Sequence, residues 1–296
     1  MTDTTAAAAA AEAAAQAAAA DLDRHPWNQG FTWHDSPPPH RWLSDDQVGQ
    51  FDRDGYVVVP DVFDAELVAG IVEEIDRHEA GMEAFLAGLD DGRLSIAESG
   101  AITFTTHLVT RSPRLKAFAR HPFFLGACAD LVGPDVNLYW DQAVYKKPEK
   151  PRRFPWHQDN GYAYVEPQQY LTCWVALTDA TIDNGCPHVA PGLHRAGTLA
   201  HRYVDPLGWE CLQSYDAAAV AEVGAGGVVV FSSLTPHLTG PNVTDGVRKA
   251  YILQYAPAGA AVLQGDPGAT PTGRVVADDP DRQFPVLRDG EPSVTT

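Results

Sequence analysis

After Pro134 the chain stops making helices, and that change constrains the fold more than any other feature. The segments NLYWDQAVYK, YLTCWVALTD, GGVVVFSS and KAYILQYAP are rich in β-branched and aromatic residues and are bounded by Gly, Pro and Asn, which is how strands read. No helices of crossover length alternate with them, so a parallel sheet is not expected. Before Pro134 the pattern is helical. Ser44-Asp-Asp-Gln47 has the form of a capping box and opens a helix running to about Asp54, ended by Gly55. YVVVP (56–60) reads as a short buried strand. Asp64 is the expected cap of a second helix of about four turns, with Leu67, Ile71 and Ile75 near helical spacing. Ser112-Pro113 repeats the start signal, and HPFFLGACADLVGP gives another helix closed by Gly133-Pro134. Helices first and antiparallel strands afterwards predict an α+β fold with a barrel or double-sheet jelly roll as its core.

The folded domain is expected to begin near Trp42, giving one domain over residues 42–296. Residues 1–41 form a leader that reads as largely disordered or extended. Its alanine tract has no apolar stripe with which to dock and no basic region of the kind a signal peptide carries. WNQGFTWHDSPPPH is expected to lie extended over the domain. From Pro257 onward the chain is rich in Gly, Pro and Asp and reads as long surface segments, with QFPVL packing back. No run of about 18 or more strongly apolar residues occurs, so no membrane span is expected. The formal net charge of −18 disfavours nucleic acid and anionic membranes as partners, because both need a basic surface. Four scattered cysteines without a CxxC pair read as reduced thiols in a cytoplasmic protein.

The chemistry starts at FPWHQDNGY (154–162). In an extended strand, side chains two apart share a face at about 6–7 Å. His157 and Asp159 can therefore converge on one cation while Gln158 points away. That is half of a two-histidine, one-carboxylate facial triad, the arrangement that leaves open positions on Fe(II). Alone, an HxD pair also fits a solvated strand face. A third ligand is available in His237, at the strand-to-turn junction of FSSLTPHLTGPN. Eleven residues later comes Arg248, a residue type that pairs bidentately with a carboxylate.

With those residues in place, the sequence resembles the phytanoyl-CoA dioxygenase family of Fe(II)/2-oxoglutarate-dependent oxygenases. The resemblance is carried by DGYVVVP, YKKP, WHQDNGY, TCWVALTDATIDNGCPHVAPGLHR and HLTGPNVTDGVRKAYILQY, and spans roughly residues 43–256. It implies a double-stranded β-helix core with the N-terminal helices packed on one sheet. It implies His157, Asp159 and His237 as iron ligands and as the catalytic centre, and Arg248 and Thr239 as partners of the distal carboxylate of 2-oxoglutarate. Trp174 and Lys147 match positions near the cosubstrate pocket. The implied cofactors are Fe(II), 2-oxoglutarate and O₂, and the implied reaction hydroxylates an unactivated C–H bond of a small molecule with release of succinate and CO₂. Related halogenating enzymes replace the metal carboxylate with a small residue. This chain keeps Asp159, which favours oxygen insertion or desaturation.

Other readings stand beside this one. A zinc hydrolase could use the same three ligands, but does not account for Arg248 and Thr239. A metal-free jelly-roll binding protein accounts for the fold alone. Within the family, an acyl-CoA hydroxylase is the alternative to an enzyme acting on a small free molecule. His188 and His194 read as surface or turn-capping residues, and His107 as either a surface residue or one near the pocket.

Overall fold

The computed structural model describes residues 22–148 and 154–293, so the expectation for the alanine tract lies outside the described residues. The N-terminal half supplies helices α1 (Asp45–Asp54), α2 (Ala65–Ala87), α3 (Pro113–Phe118) and α4 (Pro122–Leu131). The barrel is built by β1 (Tyr56–Val59), β2 (Ile102–Thr106), β3 (Val136–Lys146), β4 (Leu171–Ala176), β5 (Pro187–Val189), β6 (Ala219–Val220), β7 (Val228–Ser232), β8 (His237–Thr239) and β9 (Arg248–Pro257).

The major sheet runs β1-β7-β4-β9-β3-β2, every pairing antiparallel. Facing it is a smaller sheet in the order β6-β5-β8, also antiparallel. This is the double-sheet jelly roll expected from the sequence, and its period-two alternation divides the core in two. Cys173 and Val175 of β4, Val228 and Val230 of β7, and Tyr251, Leu253 and Tyr255 of β9 face outward against Phe51, Ile71, Ile75, Phe118 and Phe124 of the helices. The alternate residues Trp174, Val229, Phe231, Ala250 and Ile252 face the interior between the sheets. Each fully buried apolar side chain contributes about 1.5–3 kcal/mol. The helical layer thus fixes the sheet's outer face and leaves the inner face free to carry chemistry.

Local signals place the helices. Ser44 and Gln47 form the capping box, and Gly55 ends α1 at φ 81°. A side chain at Gly55 would meet His194 and Thr235 at 2.5 Å, so the position needs glycine for space as well as for its dihedral. Asp64 accepts from the Leu67 N–H at 2.8 Å and caps α2. That helix has 23 residues, longer than the four turns its apolar spacing suggests. The continuation is carried by acids at helical spacing. Asp76 accepts from Lys249 Nζ and the Tyr145 hydroxyl, Glu79 from Thr103, and Glu83 from Lys147 and Ser99. A carboxylate stripe replaces the apolar one, which hydrophobic periodicity does not register.

Residues 22–43 lie along the domain without forming a helix. Asn28 donates to the carbonyls of Ala196 and Thr198 at 2.9 Å, and Trp33 is buried edge-on to His194 with ring centroids 4.4 Å apart. His194, expected at the surface or capping a turn, is instead fully buried beneath Gly55 and bonded to the Asp52 carbonyl. At the other end, Phe284, Val286 and Leu287 pack into the outer core, and Pro285–Arg288 pairs with β3. All four cysteines are free, in keeping with reduced thiols. Among the described residues, no helix is long and apolar enough to cross a membrane.

Candidate metal centre

His157 and His237 meet through their backbones before their side chains do. The two residues form an antiparallel bridge, His157 N–H donating to the His237 carbonyl at 3.0 Å and the reverse bond measuring 2.8 Å. This ties the segment after Phe154 to the first residue of β8 and brings the imidazole centroids within 4.2 Å. Asp159 begins a single 3₁₀ turn, Asp159–Gly161, so the expected strand ends sooner than the HxD pattern suggested. Gln158 does point away, its carboxamide bonded to the carbonyls of Gly197 and Leu234 and to the Leu199 N–H. Ligand atoms of His157, Asp159 and His237 all lie within 4.8 Å of one another.

The hydrogen bonds around these three residues leave one coordinating atom on each. His157 Nδ1 lies 3.0 Å from the Pro155 carbonyl and His237 Nδ1 lies 3.0 Å from the Thr235 carbonyl. A carbonyl only accepts, so each Nδ1 carries the proton and each Nε2 keeps its lone pair. The Thr172 hydroxyl donates to Asp159 Oδ2 at 2.5 Å, and Oδ1 lies 3.9 Å from His237 Nε2. Burial lowers the pKa of both imidazoles, that of His237 to about 4, so they stand neutral as ligands require. Burial acts on Asp159 in the opposite sense and raises its carboxyl. Two neutral nitrogens and one carboxylate oxygen fit a divalent first-row ion with open positions.

Two cavities meet at these ligands. A narrow one of about 70 Å³ is lined by Thr239, Arg248, Trp174 and Ile252 together with His157, Asp159 and His237. Arg248 is 1% exposed, and its guanidinium lies 5.2 Å from the Trp174 ring. Every expected cosubstrate residue except one therefore reaches this cavity. The exception is Lys147. Its ammonium pairs with Glu79 at 3.2 Å and Glu83 at 2.5 Å on α2, outside the barrel. Strand parity explains the difference, because Tyr145 and Lys147 face the helices while Val144 and Lys146 face inward. Buried Lys146 donates to the Gly240 carbonyl. The cosubstrate role expected of Lys147 is thereby corrected.

The second cavity, about 360 Å³, adjoins the first and shares Phe104, Gln142, Phe154, His157 and Asp159 with it. Tyr139, Trp140, Tyr162, Tyr170, Phe104 and Phe154 form its aromatic wall, with Gln142 and Gln254 as the amides. Gln254 also faces the Asp159 carboxyl and favours its ionised form. Sequence reasoning missed Thr172, Gln254 and most of this wall. Thr172 had a usable signal, since it alternates with the inward Trp174 in LTCW. The 3₁₀ turn Asp159–Gly161 carries the Tyr162 ring to 5.4 Å from that of His157. His107 lies behind the wall, its ring 4.3 Å from Trp140.

The sequence profile of the phytanoyl-CoA dioxygenase family matches residues 51–250. A probable phytanoyl-CoA dioxygenase of Caenorhabditis elegans is 31% identical over 159 residues, 49% of this chain and 51% of that protein. The ectoine dioxygenase of Bordetella bronchiseptica is 26% identical over 238 residues, 72% of this chain and 75% of its own length. In fold, the chain superposes on the epimerase SnoN, solved with Fe³⁺, α-ketoglutarate and nogalamycin RO, at a TM-score of 0.63 and 24% identity, covering 81% of this chain and 96% of that one. The chain belongs to the phytanoyl-CoA dioxygenase family of non-haem iron, 2-oxoglutarate-dependent oxygenases.

Proposed function

We propose that this enzyme hydroxylates an unactivated C–H bond of a small free organic molecule in the cytoplasm, consuming 2-oxoglutarate and O₂ and releasing succinate and CO₂. The observation that carries the reading is the junction of two cavities at one donor set, a narrow cavity lined by a buried arginine and a roomier aromatic one. His157, Asp159 and His237 would hold Fe(II), which when bound supplies the oxidising chemistry with 2-oxoglutarate and O₂. The remaining work falls to side chains. Arg248 and Thr239 take the distal carboxylate of 2-oxoglutarate, a charge-assisted pairing made stronger by its burial. Trp174 flanks the guanidinium and limits its swing. The aromatic wall holds the target carbon near the metal and keeps bulk water from it.

The test is succinate release by purified protein loaded with Fe(II), measured with and without each member of a small-molecule library. Release stimulated by at least one compound, with an oxygenated product of that compound, is the expected result. A protein that turns over an ester or amide with Zn²⁺ and releases no succinate with Fe(II) overturns the reading.

A further inference from the structure

The aromatic cavity carries a second message in what its walls lack. Its described lining consists of Ile96, Ala163, the aromatic wall, the amides Gln142 and Gln254, and the two ligands His157 and Asp159. Apart from Asp159, which the metal would claim, no charged side chain lines it among the described residues. Arg248 belongs to the other cavity, and Lys147 to the outer face. Among the described residues, a charged group of either sign would find no free side-chain counter-charge in this chamber to offset its lost hydration, which costs several kcal/mol. The chain's net charge of −18 works against anions during approach as well.

What the walls do offer is π-surface and amide hydrogen bonding. Tyr139 and Tyr170 pack edge to face at 5.4 Å, and Tyr162 stands edge-on to His157. The cavity's size, about 360 Å³, suits a ligand of one to three rings. Ile96 comes from the hairpin of residues 93–98, and a side chain at Gly208 would meet its Cγ2 at 2.9 Å. A second hairpin (Arg202–Val204 paired with Gly208–Glu210) therefore packs against Ile96 at that edge of the cavity.

We propose that the substrate of this oxygenase is an uncharged, ring-bearing small molecule, stacked on the tyrosine and tryptophan wall and oriented by the amides of Gln142 and Gln254. This rests on the reading of the metal centre given above and narrows it to a substrate class. It sets aside carboxylates, phosphonates and acyl-CoA thioesters as primary substrates.

The test uses three probes of one shape: 2-naphthol, 2-naphthoate and 2-naphthylmethylamine, at pH 7. Each is titrated anaerobically into the full chain loaded with Fe(II) and 2-oxoglutarate, and binding is read by ligand-observed NMR. 2-Naphthol is expected to bind at least tenfold more tightly than either charged probe. Ala163→Trp, which fills the chamber, should abolish its binding, and Val275→Ala, at an exposed strand position that lines neither cavity, should retain it. A charged probe that binds as tightly as 2-naphthol overturns the proposal, as does 2-naphthol binding unchanged by Ala163→Trp with the variant folded by circular dichroism. The absorption of the Fe(II)–2-oxoglutarate complex is followed in the same samples. Its absence counts against the metal-centre reading, whereas its presence beside failed probe selectivity counts against the substrate class alone.

Discussion

The Thr172 hydroxyl donates to Asp159 Oδ2 at 2.5 Å, which leaves Oδ1 turned toward His237 Nε2. One strand of the major sheet thereby orients a carboxylate supplied by the turn Asp159–Gly161. Thr172→Val keeps the shape and removes the donor, so Fe(II) affinity should fall roughly 10- to 100-fold, the range seen for such supporting bonds. Thr172→Ser should restore most of it. Competition titration against a chelator measures both, and a valine variant with unchanged affinity would show that the bond positions nothing.

Asp159→Ala and His237→Ala should each abolish tight Fe(II) binding while leaving the far-ultraviolet circular dichroism nearly unchanged. The three donors stand at the cavity junction and contribute little to either apolar core. Metal analysis after gel filtration checks this, and full iron occupancy in either variant would overturn the assignment.

Arg248→Ala should raise the 2-oxoglutarate requirement by at least two orders of magnitude with iron affinity nearly intact. Leaving one member of a buried charge pair without the other costs roughly 3–5 kcal/mol. Lys147→Ala should leave the 2-oxoglutarate saturation curve where it is, because its partners are Glu79 and Glu83 on α2. Succinate release against 2-oxoglutarate concentration separates the two residues.

Asp141 gives a pH prediction away from the metal. Its Oδ2 accepts from the N–H groups of Leu108 and Val109 and from the Tyr251 hydroxyl, yet burial still pushes its pKa up to about 6. A raised carboxyl means that the folded state holds the proton more tightly than the unfolded one. This contribution is therefore present at pH 4 and is lost as the pH rises through about 6. Asp141→Asn cannot titrate, so between pH 4 and 7 the wild type should lose roughly 2–3 kcal/mol relative to it. Denaturant melts of both proteins across that range check the sign, and parallel curves would refute it.

Deleting residues 1–20 should leave the melting temperature nearly unaltered, since an alanine tract without an apolar stripe has little surface to bury. Deletion through Pro39 removes buried Trp33 and the two Asn28 bonds, and should cost about 3 kcal/mol, roughly 6–12 °C. Neither cavity is lined by Trp27, Phe31 or Trp33, so the lost stability should come without altered substrate affinity in the folded fraction. Parallel thermal melts decide between a docked and an undocked leader.

The residues that declare themselves in the sequence are those whose neighbours are local. Ser44, Gln47, Asp64 and Gly55 sit within a few residues of what they bond, and the helix starts follow directly. The β-branched runs around Val175 and Val229 announce strands because both their faces are buried. The convergence of His157, Asp159 and His237 was legible through residue type and spacing, together with the family resemblance. What stayed hidden depends on which side of a strand a residue faces at long range. Lys146 and Lys147 are interchangeable in composition, and only the register of β3 against β9 and β2 separates the barrel interior from the α2 acids. The second half of α2 was hidden for a related reason, because its docking partners Lys249, Lys147 and Thr103 lie far along the chain.

His157 and His237 each direct Nδ1 to the carbonyl two residues upstream, and His201, which accepts from the Gln158 N–H, does the same with Leu199. The brace of each ring is thus part of its own tripeptide. Such rings are aimed as soon as the chain closes around them, with no need for an ion to gather them. Metal loading at this centre should accordingly demand little rearrangement of either ring.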